Sequence, residues 1–247
     1  MFITNNQLFY DTINFFYHKI KLICVISIFS ALITSNIDYL IIPDIKNIYI
    51  LCVNKISTAH SLIHIIEDMT QEQQNVLFKY SLIRSITSLI GNTILTFSII
   101  ILVNMASSRT FFNYITMFKN LIFMLPNLFL LMLIITIITQ FCFMILVIPG
   151  ILLCILFSLS PIILIRERTN VLTSLKKSCK ITYSQIKILS PAIIAWLFLK
   201  FLLLIFDAIL NILPGNFFIV ILSTIINLIT SFLIVYLYRF YMIFSSS

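Results

Sequence analysis

One uncharged run of the chain decides the fold. Residues 120–165 read NLIFMLPNLFLLMLIITIITQFCFMILVIPGILLCILFSLSPIILI, which is 46 residues without a charged side chain. A helix needs only ~20 apolar residues to cross a bilayer core of ~30 Å, so this run is long enough for two helices. Pro149-Gly150 interrupts its second half and favours the start or a kink of a helix there. The run therefore predicts two membrane-spanning helices, over about residues 121–141 and 145–165.

The composition of the whole chain is that of a membrane protein. Of its 247 residues, 61% are hydrophobic and only 10% are charged, whereas about a quarter of the residues are charged in a soluble domain. These values exclude a water-soluble globular protein. Four further apolar stretches predict spans at about residues 22–42, 85–105, 188–210 and 217–238. The sequence thus predicts an all-α, polytopic membrane helical bundle of about six transmembrane helices, a single integral membrane domain over residues 1–247.

The segment before the first span has helical periodicity. Its apolar residues recur on one face, at Phe9, Ile13, Phe16 and Ile20. Its polar residues mark another face, at Gln7, Asp11, Asn14, His18 and Lys21. This pattern predicts an N-terminal amphipathic helix that lies in the membrane interface and leads into the first span.

Basic residues indicate the orientation. Eleven Lys and Arg flank the spans on the side of the two termini: two before the first span, two in the second loop, six in the fourth loop and one in the tail. The opposite side has four, all in the long first loop of about residues 43–84: Lys46, Lys55, Lys79 and Arg84. Because cytoplasmic loops carry the excess of Lys and Arg, we expect a bacterial inner-membrane protein with both termini in the cytoplasm and the first loop in the periplasm.

The end of the first loop carries a signal for the start of a helix. Thr70 and Gln73 have the spacing of a capping box, in which two side chains satisfy backbone groups of the first turn. We therefore expect a helix that begins there and continues into the second span.

Three charged residues fall inside the predicted spans. Lys200 lies twelve residues after the start of the fifth span at Ile188, which places it about 18 Å deep. A central Lys costs roughly 2.5–3.5 kcal/mol and needs a partner inside the bundle. The sequence predicts an interhelical ion pair of Lys200 with Asp38, with Asp207 as the second candidate. It leaves open whether this pair is structural or belongs to a solute or proton pathway.

Neutral polar residues also recur at helical spacing inside the spans. They form three stripes: Ser81, Ser85, Ser88, Asn92 and Thr96; Thr136 and Gln140; and Ser223, Asn227 and Ser231. Small and amide side chains at this spacing are typical of helix–helix contacts in lipid. They could equally line a polar cavity, and the expectation from sequence is helix packing.

The fourth loop is the most basic segment. Thr169 or Asn170 is expected to cap a short helix with Leu172, Leu175 and Cys179 on one side and its lysines on another. The candidate contacts to anionic lipid in this loop are Arg166, Arg168, Lys176, Lys177, Lys180 and Lys187. Each basic residue near a membrane surface attracts anionic lipid by about 1 kcal/mol. The alternative is a plain topology signal without lipid specificity.

No motif indicates an active site. A nucleotide-binding glycine loop is not found in a chain with three glycines, and there is no GxSxG motif. His60 and His64 stand four residues apart without a third ligand at a suggestive spacing, and the five cysteines show no CxxC pattern. We therefore expect neither catalytic residues, nor a metal, nor a cofactor. The net charge of +8 lies beside apolar spans, which favours membrane lipids over nucleic acid as partners.

Several blocks of residues resemble a known family. They are Ile3-Thr4, Asp11-Thr12, Asn14-Phe15-Phe16, Glu72-Gln73-Gln74, Leu89-Ile90-Gly91-Asn92, Ile148-Pro149-Gly150-Ile151, Ser190-Pro191-Ala192 and residues 236–242, YLYRFYM. Together they are similar to the YciC family of enterobacterial inner-membrane proteins, from one end of the chain to the other. The resemblance implies a multi-pass inner-membrane protein of uncharacterised function. It assigns no catalytic or ligand-binding residue to this chain.

The interpretation from sequence is therefore a non-enzymatic bundle with a role in envelope or membrane-lipid homeostasis. The alternative is a small-solute or ion transporter that uses Lys200, Asp38 and Asp207. The two differ in the effect of neutralising Lys200, which should abolish flux in a transporter and mainly loosen packing in a binding protein.

The predicted topology can be tested with reporter fusions. A reporter fused after Pro214 is expected to be external and one fused after Ser247 internal, because eleven of the flanking cations lie on the side of the termini. Paired phosphatase and fluorescent-protein fusions measure this, and the reverse pattern would contradict the topology.

The predicted ion pair can be tested by exchanging its charges. Lys200→Asp and Asp38→Lys are each expected to reduce the amount of folded protein, since each leaves like charges together in the bundle. The double exchange is expected to restore it, as measured by detergent-extracted yield and melting temperature. A double variant no better than the single ones would rule out the pairing.

Overall fold

In the computed structural model of the protein, the described residues are 5–41, 70–107, 122–210 and 216–246. They form eight helices and no strand. The helices are α1 (Asn5–Ile41), α2 (Gln71–Ser107), α3 (Leu125–Ile145), α4 (Val147–Phe157), α5 (Ser160–Glu167), α6 (Val171–Ser184), α7 (Ile186–Leu210) and α8 (Asn216–Ser246).

Six helical segments of the described chain are long and apolar enough to cross a membrane, which confirms the predicted number. They are Gln7–Ile37, Phe78–Ala106, Leu125–Ile145, Val147–Glu167, Ile186–Phe206 and Val220–Ser245. The third lies four residues later than predicted because Pro126 occupies the first turn of α3, where its missing N–H costs nothing. The second span is continuous with a helix that begins at Gln71, directly after Thr70 as expected.

The fourth span begins where Pro149-Gly150 predicted a start. Leu146 has an extended backbone (φ −152°, ψ 141°) between α3 and α4. Gly150 faces the ring of Phe143, and a Cβ atom at Gly150 would lie 2.6 Å from Phe143 Cδ1. Glycine therefore lets the two helices pack tightly beside their turn.

A second interruption, which the sequence analysis did not predict, divides the fourth span. Residues 158–159 separate α4 from α5, and Pro161 lies in the first turn of α5. A proline there cannot donate to the carbonyl four residues earlier. The hydrogen bonds of α5 therefore begin at the carbonyl of Leu159, which accepts from the backbone N–H groups of Ile162 and Ile163, both at 3.1 Å. Residues 160–165 are all buried, so this short helix lies in the core of the bundle.

The first and last helices pack side by side in opposite directions. Asn227 Nδ2 donates to the carbonyl of Ser27 at 3.2 Å, and the hydroxyls of Ser27 and Ser231 lie 3.5 Å apart. Phe16 meets Phe232 edge to face with ring centroids 5.5 Å apart. This pairing places the beginning of α1 beside the end of α8. We call that side of the bundle the terminal end and the opposite side the distal end.

The N-terminal segment belongs to the same helix as the first span. No break separates them, because α1 runs from Asn5 to Ile41. The face that packs inward is Leu8, Thr12 and Phe15, which differs from the predicted apolar face. Phe9 and Ile13 of that predicted face are 49% and 40% exposed. The extension of α8 to Ser246 explains the difference, since it packs along α1 and leaves the other apolar side chains to lipid.

Helix α2 is the most buried span, and its closest approach to α1 is at Gly91. Ser30 Oγ donates to the carbonyl of Gly91 at 3.1 Å. A Cβ atom at Gly91 would overlap Thr34 Cγ2, so the contact requires a glycine. Large apolar side chains on α3 and α7, among them Ile137, Phe198 and Phe201, are more than half exposed, as expected for surfaces that face hydrocarbon.

The contact at Gly91 gives a stability prediction. Gly91→Ala is expected to lower the melting temperature, because overpacking costs about 1–3 kcal/mol while the better helix propensity of Ala returns about 1 kcal/mol. Adding Thr34→Ser removes the methyl group that clashes. The double variant is therefore expected to melt at or above the wild-type temperature in detergent.

The single variant Thr34→Ser serves as the control for this prediction. The contact would be disproved by a double variant no more stable than Gly91→Ala.

Candidate intramembrane site

A polar cavity of about 630 Å³ lies in the distal half of the bundle. Five helices contribute to its wall, namely α1, α2, α3, α7 and α8. Its polar lining residues are Ser30, Thr34, Tyr80, Ser81, Arg84, Ser85, Ser88, Asn92, Thr136, Gln140, Lys200, Ser223 and Asn227. A cavity of this size is in the range of small-molecule sites.

The three predicted polar stripes meet at this cavity. Members from α2, α3 and α8 line one wall each, including Asn92, Gln140 and Asn227. Thr96 and Ser231 lie further along the same stripes, where both are buried and the Ser231 hydroxyl lies 3.5 Å from that of Ser27 on α1. The stripes therefore have both roles that were considered from the sequence. Most of their residues line the cavity in the distal half, and those nearer the terminal end pack between helices.

Lys200 lines the cavity from α7 and is half-buried. Its Nζ lies over the ring of Trp196, 5.1 Å from the centroid. Trp196 in turn donates from Nε1 to Thr230 Oγ1 at 3.3 Å. A cation over an indole face is stabilised by the ring quadrupole. The indole therefore holds the ammonium group in place and leaves its three N–H donors for other partners.

Arg84 is a second cation in the wall of the cavity, although the sequence predicted that it lies in the first loop. In the structure it lies within α2, six residues inside the candidate span that begins at Phe78. Lys200 is likewise six residues inside the distal end of its span at Phe206, so both lie about 9 Å from those ends. Arg84 Nη1 donates to the hydroxyl of Tyr80 at 3.3 Å.

Some predicted site residues lie outside the described part of the molecule. Asp38 and Asp207 belong to α1 and α7, but their side chains are not described, so the pairing with Lys200 stays a prediction. His60 and His64 also lie outside the described residues. Within the described ranges no three His, Cys, Asp or Glu side chains lie close enough to hold a metal ion.

The terminal end carries the basic surface predicted in the fourth loop. All six of its cations are exposed: Arg166, Arg168, Lys176, Lys177, Lys180 and Lys187. Two of them have partners among the described side chains. Lys177 Nζ and the hydroxyl of Tyr241 donate to the two carboxylate oxygens of Glu167. The guanidinium of Arg166 lies 5.4 Å from the ring centroid of Tyr241 and 6.0 Å from that of Tyr238.

Helix α6 forms as predicted after Asn170, but its inward face differs from the prediction. Its buried residues are Ser174, Leu175, Ser178 and Thr182, whereas Leu172 is 68% exposed. The difference arises because α6 packs closely against α4. The Ser178 hydroxyl donates to the carbonyl of Leu156 at 2.6 Å, and a larger side chain at this position would hold the two helices apart. Cys179 is half-buried, and burial raises the pKa of its thiol.

The outward face of α6 combines apolar and basic side chains. Leu172 and Tyr183 are 68% and 77% exposed. They share that face with Lys176 and Lys180, because the four residues are spaced at i, i+4, i+8 and i+11. Among the described side chains, no carboxylate forms a salt bridge with either lysine. This combination is typical of helices at a membrane interface.

The comparisons with known proteins place the chain in one family. A family model described as "Uncharacterised protein family (UPF0259)" matches residues 1–243. A UPF0259 membrane protein of Buchnera aphidicola subsp. Acyrthosiphon pisum (strain 5A) is 39% identical over 245 residues, which cover 99% of both chains. A UPF0259 membrane protein of Serratia proteamaculans is 31% identical over 248 residues, again 99% of both chains.

A third relative is the UPF0259 membrane protein of Photorhabdus laumondii, which is 33% identical over 99% of this chain and 97% of its own length. No solved structure matches the chain. The full-length matches confirm the family resemblance found in the sequence. With its six candidate spans, the chain belongs to the uncharacterised UPF0259 family of membrane proteins, which is the YciC family.

Proposed function

We propose that this protein is a non-enzymatic inner-membrane protein that serves envelope or membrane-lipid homeostasis by binding anionic phospholipid at the outward face of α6. The observation that carries the proposal is the exposure of Leu172 and Tyr183 beside Lys176 and Lys180. Apolar side chains enter the boundary between headgroups and acyl chains, and ammonium groups attract the phosphates above them.

The attachment of α6 to the bundle supports this proposal. The Ser178 hydroxyl bonds to α4 through Leu156, and the Lys177–Glu167 ion pair joins α6 to the end of α5. Both contacts hold the inner face of the helix against the bundle. The outer face is thereby kept exposed in one orientation, which a specific lipid site requires and a plain topology signal does not.

The proposed orientation places α6 on the cytoplasmic side together with both termini. It is supported by the distribution of basic residues, since the exposed cations of the fourth loop lie at the terminal end. The anionic lipids of the cytoplasmic leaflet would then face Lys176 and Lys180.

Transport of a small solute or ion is a second candidate function. One observation favours it, the polar cavity between five helices with Lys200 in its wall. Ionisable residues inside a membrane bundle commonly mark a solute or ion pathway. The two functions differ in one measurable property, because only a transporter supports flux into liposomes that Lys200→Met abolishes.

Native mass spectrometry of the gently solubilised protein tests the lipid proposal. The wild type is expected to retain phosphatidylglycerol, and Lys176→Gln/Lys180→Gln is expected to bind it about 30-fold more weakly, because each lysine contributes about 1 kcal/mol. Lys177 is left unchanged in this variant because it pairs with Glu167.

The matched control is Lys19→Gln/Lys21→Gln, which removes two exposed cations from the same end of the bundle. It is expected to retain the lipid. Equal loss in both double variants would show that only total charge matters, and equal retention would reject the α6 site.

A further inference from the structure

The polar cavity at the distal end is separate from the α6 face. Lys200 lies fourteen residues along α7 from Ile186, which is about 21 Å, and α6 ends just before Ile186. No residue of α6 lines the cavity.

The described lining of this cavity is rich in donors and carries positive charge. It contains the ammonium of Lys200, the guanidinium of Arg84 and the amides of Asn92, Gln140 and Asn227. None of the lining residues that the structure describes is acidic. Ammonium and guanidinium groups donate strong, charge-assisted hydrogen bonds to oxyanions, and Arg has a geometry that matches phosphate.

The position of Lys200 makes an anionic partner favourable. A lysine in the membrane interior is costly when it has no partner, and the stacking on Trp196 leaves its N–H groups available. An anion in the cavity would accept these hydrogen bonds in a medium of low dielectric constant, where they are strong.

We propose that the cavity binds an anionic phosphate group, with Lys200 as its main charged contact and Arg84 as the second. The phosphate is either a free ion or the headgroup of a phospholipid that enters from the distal leaflet. The site differs from the α6 face in both position and residues.

Trp196 provides a direct probe of this site. It is the only tryptophan in the chain, and its ring centroid lies 5.1 Å from Lys200 Nζ. The full-length protein is placed in nanodiscs of phosphatidylcholine and titrated with inorganic phosphate, with sodium chloride at matched ionic strength as the blank. A parallel sample contains phosphatidylglycerol and no free phosphate. Trp196 emission is recorded, together with binding of radiolabelled phosphate.

The wild type is expected to respond in at least one of the two samples, and the sample that responds identifies the source of the phosphate. Lys200→Met is expected to weaken the response about tenfold or more, because a hydrogen bond to a charged group is lost. Lys200→Arg keeps the charge and is expected to retain binding. Lys79→Met, which removes an exposed cation outside the cavity, is expected to bind as wild type does.

The proposal would be overturned by a wild-type protein that responds neither to inorganic phosphate above the chloride blank nor to phosphatidylglycerol, or by an equal response in Lys200→Met. If Lys200→Met does not fold, Ser223→Asp tests the same site, since it adds a carboxylate to the wall and is expected to abolish binding. Lys176→Gln/Lys180→Gln is expected to leave the phosphate response unchanged, so failure of the α6 site and failure of the cavity site are distinguishable.

Discussion

The arrangement of the terminal end depends on one constraint, that backbone polar groups inside hydrocarbon must find partners within the protein. The interruption at residues 158–159 ends α4 one residue after Leu156, and the Ser178 hydroxyl donates to the Leu156 carbonyl. That bond needs a small side chain and a close approach, which Ser174 and Thr182 on the same buried face also allow. Because the serine face turns inward, Leu172 and the lysines of α6 face outward.

Much of the fold could be predicted from the sequence, because runs of uncharged residues and the length of a membrane span leave few choices. The six spans and the start at Pro149-Gly150 follow from such local signals. The break before Pro161 and the inward face of α6 could not be predicted in the same way. Both depend on which neighbour a side chain meets, and the periodicity of one segment contains no information about its neighbour.

Only some residues of the candidate site could be predicted from the sequence. Lys200 is conspicuous because its charge interrupts an apolar run, and the polar stripes show helical spacing. Arg84 was missed because an arginine next to the first loop fits the pattern of loop charges. The sequence did contain a signal for its position, because Arg84 lies three residues after Ser81 and four before Ser88, on the same helical face as that polar stripe. The convergence of these residues on one cavity depends on how five helices pack, which no single stripe specifies.

The pairing of the first helix with the last has a consequence for synthesis. Ser27 and Asn227 are joined across 200 positions of the chain. At roughly 5–20 residues per second, α1 leaves the ribosome about 10–40 s before α8. During that interval the serine face of α1 lacks its final neighbour, although α2 can already pack against it at Gly91. The bundle can therefore close only after α8 has been made, and until then α1 depends on lipid or on the insertion machinery to shield its polar face.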